Sequence, residues 1–185
     1  MVTGERSPSA DERSAIVRML LAAEAVRFGD FTLTSGEKSD VYIDVKRAWT
    51  DPRRLELLST ALAQRVGSTD RLAGMELGAV PLLVATALRT GHPYIVLRKV
   101  AKEHGTRQAY EGEIPPGARV LLIEDVSTTG GSSLRSVEIL RSAGARVDRA
   151  LVVVDRESGA RERLAAVGVR LEPLVTLSEL REAQR

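Results

Sequence analysis

The 185-residue chain has no cysteine. Disulfides and thiolate metal sites are therefore excluded. Long apolar runs are missing too: the longest largely apolar stretch, Ala79 to Leu88, is too short to cross a bilayer. The opening segment MVTGERSPSADER is polar and lacks the apolar centre of an export signal. A cytoplasmic protein is expected, with no membrane partner. Strong charge of one sign is also absent. A net charge of +2 with a pI near 9.2, and no long basic run, is too mild a balance to imply a nucleic-acid partner. No Gly-Lys pair occurs, so the P-loop motif G-x-x-x-x-G-K-[ST] is impossible. No G-x-G-x-x-G occurs, which removes the simplest dinucleotide-binding reading. Repeats and low-complexity segments are lacking. Lysine is scarce: of 27 basic residues only Lys38, Lys46, Lys99 and Lys102 are lysines. Two of these four share one short segment with His104, one of only two histidines. In a chain that otherwise uses arginine, this points to a specific task for that segment.

What remains has the composition of a globular protein, 43% hydrophobic and 28% charged, and is long enough to enclose a core as one domain. Residues 1 to 9 read as disordered. From Asp11 to about Val26, Ile16, Met19, Leu20 and Ala23 recur at helical spacing. From Phe28 to Val45 the period changes to two, around Ser35-Gly36-Glu37-Lys38, which reads as a β-hairpin. Asp51-Pro52 opens a helix whose buried face is Leu55, Leu58, Leu62 and Val66, closed by Gly67. Strands over 72–77, 94–97, 119–123, 147–154 and 169–175 then alternate with helices over 80–90, 134–143, 159–167 and 178–185. That order predicts an α/β fold with a central parallel sheet flanked by helices on both faces. The hairpin sits outside the alternation and is expected to form a small hood over the sheet's C-terminal edge. Arg98 to Gly112 has no apolar period and reads as a long loop. Met19, Trp49 and Met75 read as packing residues, and His92 receives no role.

One stretch organises the chain: Val120 to Ser133, VLLIEDVSTTGGSS. A buried strand ends in two adjacent carboxylates, Glu124 and Asp125. A small-residue turn, Thr128 to Ser133, then opens a helix ended by Gly144. Ligands of open α/β sheets bind beyond the carboxyl ends of strands. A Thr/Gly/Ser turn at a helix N-terminus offers backbone N–H groups and hydroxyls to a phosphate. Carboxylates beside such a cradle can take sugar hydroxyls, or a metal that the phosphate also touches. A ribose phosphate satisfies both halves. Each half alone is also an ordinary structural feature, since Thr/Ser/Gly runs cap many helices.

The whole stretch resembles the phosphoribosyl pyrophosphate signature of the type I phosphoribosyltransferases. The resemblance implies that Glu124 and Asp125 hold the ribose 2′- and 3′-hydroxyls, and that Val126, Ser127, Thr128, Thr129, Gly130, Gly131 and Ser132 hold the rest of the ribose 5-phosphate. Three further segments narrow it. RKVAKEHGT (98–106) is similar to the catalytic loop of orotate phosphoribosyltransferases. FGDFTLTSGEKSDVYID (28–44) resembles their N-terminal hood, and DRESGARERL (155–164) their late strand and loop. The resemblance spans about residues 12 to 180. It implies one phosphoribosyltransferase domain over 1–185, with the hood mainly at 12–47 and the core at about 51–176.

By that resemblance Arg98, Lys99, Lys102 and His104 contact the diphosphate. Lys102 is the residue most tied to catalysis, and Lys102 or His104 supplies a proton. Mobile cations closing over a departing diphosphate stabilise the transition state more than the ground state. Arg156 matches the residue that pairs with the orotate carboxylate, a task suited to a planar guanidinium, and Thr128 lies near the orotate ring. The resemblance also implies Mg2+ held mainly by substrate, with no metal held mainly by protein. It implies a homodimer in which the 98–112 loop reaches the neighbouring site. The substrates would be orotate and phosphoribosyl pyrophosphate, and the product orotidine 5′-monophosphate for UMP biosynthesis.

Two departures stand out. Many bacterial members carry a lysine just before the hood's Ser-Gly, where this chain has Thr34. They carry another in the loop after the first core strand, here Glu76-Leu77-Gly78-Ala79-Val80-Pro81. Gly78 and Ala79 are expected to offer backbone N–H groups to pyrophosphate instead. Two other readings stay open: a phosphoribosyltransferase for another base, and a regulator that senses phosphoribosyl pyrophosphate without turning it over. The second needs a DNA-binding module, for which residues 1 to 27 offer one helix.

Overall fold

A computed structural model describes residues 9–32, 36, 38–99 and 109–185. The chain opens with α1 (Ala10–Ala22). Ser9, expected to be disordered, caps this helix: its hydroxyl accepts from the Glu12 N–H at 3.2 Å. The hairpin forms as expected, from β1 (Val26–Thr32) and β2 (Lys38–Ile43), paired antiparallel. It ends earlier than the alternation suggests. Val45 leads instead into α2 (Lys46–Trp49), a single turn too short to show a period. In α3 (Pro52–Ala63) the Asp51 carboxylate accepts from the N–H groups of Arg53 and Arg54 at 3.0 and 3.1 Å. Leu58, Leu62 and Val66 are buried as expected and Leu55 partly so.

β3 (Arg71–Met75) stops two residues short of the expected end, before a cis peptide between Glu76 and Leu77. It is followed by α4 (Val80–Thr90), closed by Gly91 in the left-handed region. β4 (Tyr94–Leu97) is as expected. β5 (Tyr110–Glu111), inside the stretch read as a loop, pairs antiparallel with it. β6 (Val120–Ser127) runs four residues beyond its expected end. It leads into α5 (Gly131–Ser142), whose first turn takes in Ser132 and Ser133. β7 (Arg149–Asp155), α6 (Ala160–Ala165), β8 (Arg170–Thr176) and α7 (Leu177–Glu182) complete the described chain.

The large sheet has the order β5-β4-β3-β6-β7-β8, all parallel except β5 at one edge. Its strands alternate between two cores, as the period of two in a pleated strand requires. Leu121 and Ile123 of β6, with Leu151 and Val153 of β7, face one layer together with the hood, α1, α3 and α4. Leu122, Ala150 and Val152 face the other, against α5 and α6. Met75 is buried, and Met19 and Trp49 pack against the first core. Two arginines are buried inside this frame. Arg65 pairs with Glu12 of α1 at 2.7 Å, and Arg149 pairs with Glu172 through two 2.9 Å contacts. Among the described residues no helix is long and apolar enough to cross a membrane.

Candidate active site

Parallel strands bring their C-terminal ends to one edge of the sheet, and the candidate site lies there. A cavity of about 320 Å³ is walled by the turn from Met75 to Ala79 after β3, by Lys99 after β4, by Glu124 and Asp125 of β6, by Ser132 of α5 and by Lys46 of α2. It thus unites six expected residues, Gly78, Ala79, Lys99, Glu124, Asp125 and Ser132, with two that the sequence left without a role, Lys46 and Glu76. A larger cavity of about 550 Å³ lies at the opposite ends of the strands, between Thr60, Thr69 and His92, and contains none of the expected residues.

Glu124 and Asp125 follow each other on one strand, so their side chains leave opposite faces of the sheet. Glu124 is buried, and Ser133 donates its hydroxyl to Glu124 Oε2 at 2.6 Å. Burial pushes the Glu124 carboxyl up to about 7; the Ser133 hydroxyl opposes that rise and the neighbouring Asp125 charge adds to it. Asp125 is half-buried. Burial also raises its carboxyl, against the Val126 N–H, which donates to Asp125 Oδ1 at 2.9 Å.

The turn after β6 is built to leave donors open. Gly130, at φ 78°, is the residue before α5 and gives the helix no side-chain cap, unlike Ser9, Asp51 and Thr176 at α1, α3 and α7. A Cβ there would press within 3.1 Å of the Ala160 backbone. Glycine therefore serves both the left-handed turn and the close packing on α6. Thr128, Thr129, Gly131 and Ser132 are exposed, whereas Ser127 is buried. Arg163 of α6 holds the Thr129 carbonyl at 3.2 Å. A helix N-terminus with free first-turn amides, ringed by hydroxyls, is an anion site.

Arg156 follows β7, outside the cavity wall but next to the same turn: its N–H donates to the Ser127 carbonyl at 2.9 Å. Its guanidinium reaches the hood, donating to Ser39 Oγ at 3.3 Å, and its Nε is buried without a partner. A second contact anchors the hood to this edge: Arg181 of α7 pairs with Asp40 at 2.7 Å. Through Ser39 and Asp40 the hood is tied to the C-terminal edge.

Arg98 is not part of the cavity wall, and its guanidinium lies on Glu111 of β5 at 2.7 and 3.0 Å. Lys99 is anchored by its backbone, whose N–H donates to Glu76 Oε1 at 3.0 Å. Lys102 and His104 lie outside the described residues, as does Thr34. The expectation for the 76–81 turn needs correction at Ala79. The Ala79 N–H is already used, donating to the Met75 carbonyl at 3.3 Å. Gly78 is required for space, because a Cβ there would overlap the Asp125 carboxylate. One signal could have singled out Lys46, namely that it is one of only four lysines.

Acids at a strand end beside an open helix N-terminus, facing Lys46 of α2 and Lys99 after β4, are what a sugar-phosphate transferase needs. The Phosphoribosyl transferase domain family matches residues 50–173, and the chain belongs to it. The hood precedes the matched region. An orotate phosphoribosyltransferase of Pyrococcus furiosus is 47% identical over 175 residues, covering 92% of this chain and 96% of its own. The crystal structure of orotate phosphoribosyltransferase from Aeropyrum pernix superimposes with a TM-score of 0.81 at 39% identity, covering 91% of this chain and 97% of that one. A third neighbour is the Mycobacterium tuberculosis enzyme in complex with 5-phospho-α-D-ribosyl 1-diphosphate. Its TM-score is 0.75 at 29% identity, over 91% of this chain and 98% of that one. Within the phosphoribosyltransferases, the chain therefore falls among the orotate phosphoribosyltransferases.

Proposed function

We propose that the chain transfers the ribose 5-phosphate of phosphoribosyl pyrophosphate to orotate, giving orotidine 5′-monophosphate and pyrophosphate for pyrimidine (UMP) synthesis. The observation that carries this reading is the placement of Glu124 and Asp125 beside the uncapped N-terminus of α5, with Lys46 and Lys99 across the same cavity. The 5-phosphate sits on the Thr128–Ser132 turn. The two carboxylates accept from the ribose hydroxyls, and the diphosphate lies toward the Glu76–Ala79 turn and Lys99. Arg156 receives the orotate carboxylate under the hood, with Thr128 beside the ring.

In the reaction the bond from ribose C1 to the diphosphate oxygen breaks, and its electron pair leaves with pyrophosphate. Orotate N1 gives up its proton to solvent and supplies the pair for the new bond to C1. Between them the ribose carries oxocarbenium character, and no covalent enzyme intermediate is needed. The chain's part is to hold both substrates in line and to place cations where the leaving group gathers charge. Lys102 and His104, from their match to the catalytic loop, complete that cation set, and one of the two, Lys102 or His104, protonates the leaving group.

The donors suit a magnesium ion brought in with the substrate. Among the described residues no three His, Asp or Glu side chains converge as a metal cage, while Glu124 and Asp125 offer oxygen to an ion already held by substrate oxygens and water. When bound, the ion neutralises charge on the diphosphate. In solution we take the protein to be a cytoplasmic homodimer, one domain per subunit with its hood mainly at 12–47 and its core at about 51–176. The 98–112 loop then serves the neighbouring site.

The test is pyrophosphate release from phosphoribosyl pyrophosphate and Mg2+ with orotate, uracil, hypoxanthine or adenine offered in turn. Release with orotate alone supports the reading. Release driven by a purine base would assign a different phosphoribosyltransferase.

A further inference from the structure

Lys46 lies on α2, two residues past the 28–44 hood segment and far in sequence from the acid pair and the phosphate turn, yet it forms part of the cavity wall. Its backbone is fixed from both sides. The Asp44 N–H donates to the Ala25 carbonyl at 2.7 Å, and Val45 and Ala48 are fully buried. The side chain is half-exposed, and its ammonium stands 2.7 Å from Asp44 Oδ1. The Asp44 end of this pair is largely buried while the ammonium end is open, so the lysine neutralises Asp44 and still presents charge to the cavity.

The charge of the cavity gives a reason for a lysine here. Three carboxylates, Glu76, Glu124 and Asp125, line it, against two ammonium groups, Lys46 and Lys99. The turn from Glu76 to Pro81 contains no cation of its own. A diphosphate carries several negative charges and cannot settle against that turn without a positive partner. Lys46 shares the wall with Glu76, Leu77, Gly78 and Ala79; of the 5-phosphate turn only Ser132 is in this wall, and Thr128 to Gly131 lie outside it. Most of the cradle is thus away from the lysine, and the whole Glu76–Ala79 turn shares its cavity. On four flexible methylenes, an ammonium held by Asp44 can turn to a better acceptor when one arrives.

We infer that Lys46, held ready by Asp44, is a diphosphate-binding residue of this site and supplies from the hood side the positive charge that the Glu76–Pro81 turn lacks. This rests on the transferase reading above. It adds a residue from the segment joining hood to core, so that hood placement and leaving-group binding depend on each other.

The test is calorimetric titration of the full chain, in Mg2+, with inorganic pyrophosphate and separately with ribose 5-phosphate. Lys46→Gln is expected to weaken pyrophosphate about tenfold or more, and to leave ribose 5-phosphate unchanged. Lys46→Arg, which keeps the charge, is expected to stay within about threefold of the parent. The KM for phosphoribosyl pyrophosphate should rise in Lys46→Gln while that for orotate holds. Unchanged pyrophosphate affinity in Lys46→Gln overturns the inference, as does equal weakening of both ligands. If the unmodified protein binds neither ligand, the transferase reading itself fails, which is a distinct result.

Discussion

Gly78 and Asp125 approach so closely that a Cβ on Gly78 would occupy the space of the Asp125 carboxylate. The turn after β3 and the acid pair on β6 are thus one fitted surface. Gly78→Ala should push that carboxylate off the ribose. An expected destabilisation of about 1–3 kcal/mol reflects overpacking. The KM for phosphoribosyl pyrophosphate should rise about 10- to 100-fold, because a misplaced binding group costs that much in an aligned reaction. Steady-state kinetics beside a thermal melt separates the two effects.

Glu124 makes the free protein sensitive to pH. Its carboxyl is raised to about 7 by burial, from an ordinary value near 4.5. The folded state therefore holds a proton that the unfolded chain releases between those values. The stability due to this group is fully present below about 4.5 and is lost as pH rises through about 7. The loss is on the order of 3 kcal/mol. Glu124→Gln should match the parent near pH 4.5 and melt higher at pH 8, while losing affinity for phosphoribosyl pyrophosphate. Melts of both proteins across that range check the sign.

Arg156 should act on one substrate. Arg156→Ala is expected to raise the KM for orotate about 10-fold or more, the scale of a lost charge-assisted contact, with far less effect on phosphoribosyl pyrophosphate. Equal effects on both would argue against a carboxylate contact.

The shared-loop reading can be tested by mixing. Lys102→Ala should be nearly inactive, and Arg156→Ala poorly active when orotate is kept well below its raised KM. If the 98–112 loop serves the neighbouring subunit, dimers re-formed from both variants recover activity that neither parent shows. Mixed dimers as inactive as the parents would place the loop in its own subunit's site.

Arg65 and Glu12 join α3 to α1 through a largely buried pair at 2.7 Å. Removing one partner strands the other charge. Glu12→Ala should destabilise by roughly 2–4 kcal/mol, the lower part of the range for buried pairs because Glu12 keeps some contact with water. Neutralising the exposed Asp40 of the Arg181 pair should change the melt little.

The contrast between these residues explains how much could be read before folding. The strand, acid pair and phosphate turn were legible because Val120 to Ser133 places them side by side in the chain. The parallel sheet was legible from the β/α alternation. Only its antiparallel edge strand escaped, because two residues show no period. The Lys46 position in the cavity and the Gly78–Asp125 fit were not legible. Each joins residues from different elements, and only the closing of α2 and β3 onto β6 brings them together. Nothing in an arginine-rich sequence singles out Arg65 and Arg149 as buried, because their carboxylate partners come from distant segments.

The most direct measurement follows orotate itself. The purified protein is mixed with orotate, phosphoribosyl pyrophosphate and Mg2+, and the ultraviolet absorbance of orotate is recorded while pyrophosphate is assayed. Orotate should disappear one for one with the appearance of pyrophosphate and orotidine 5′-monophosphate. Tight binding of phosphoribosyl pyrophosphate with orotate left untouched would contradict the account and leave a sensor in place of an enzyme.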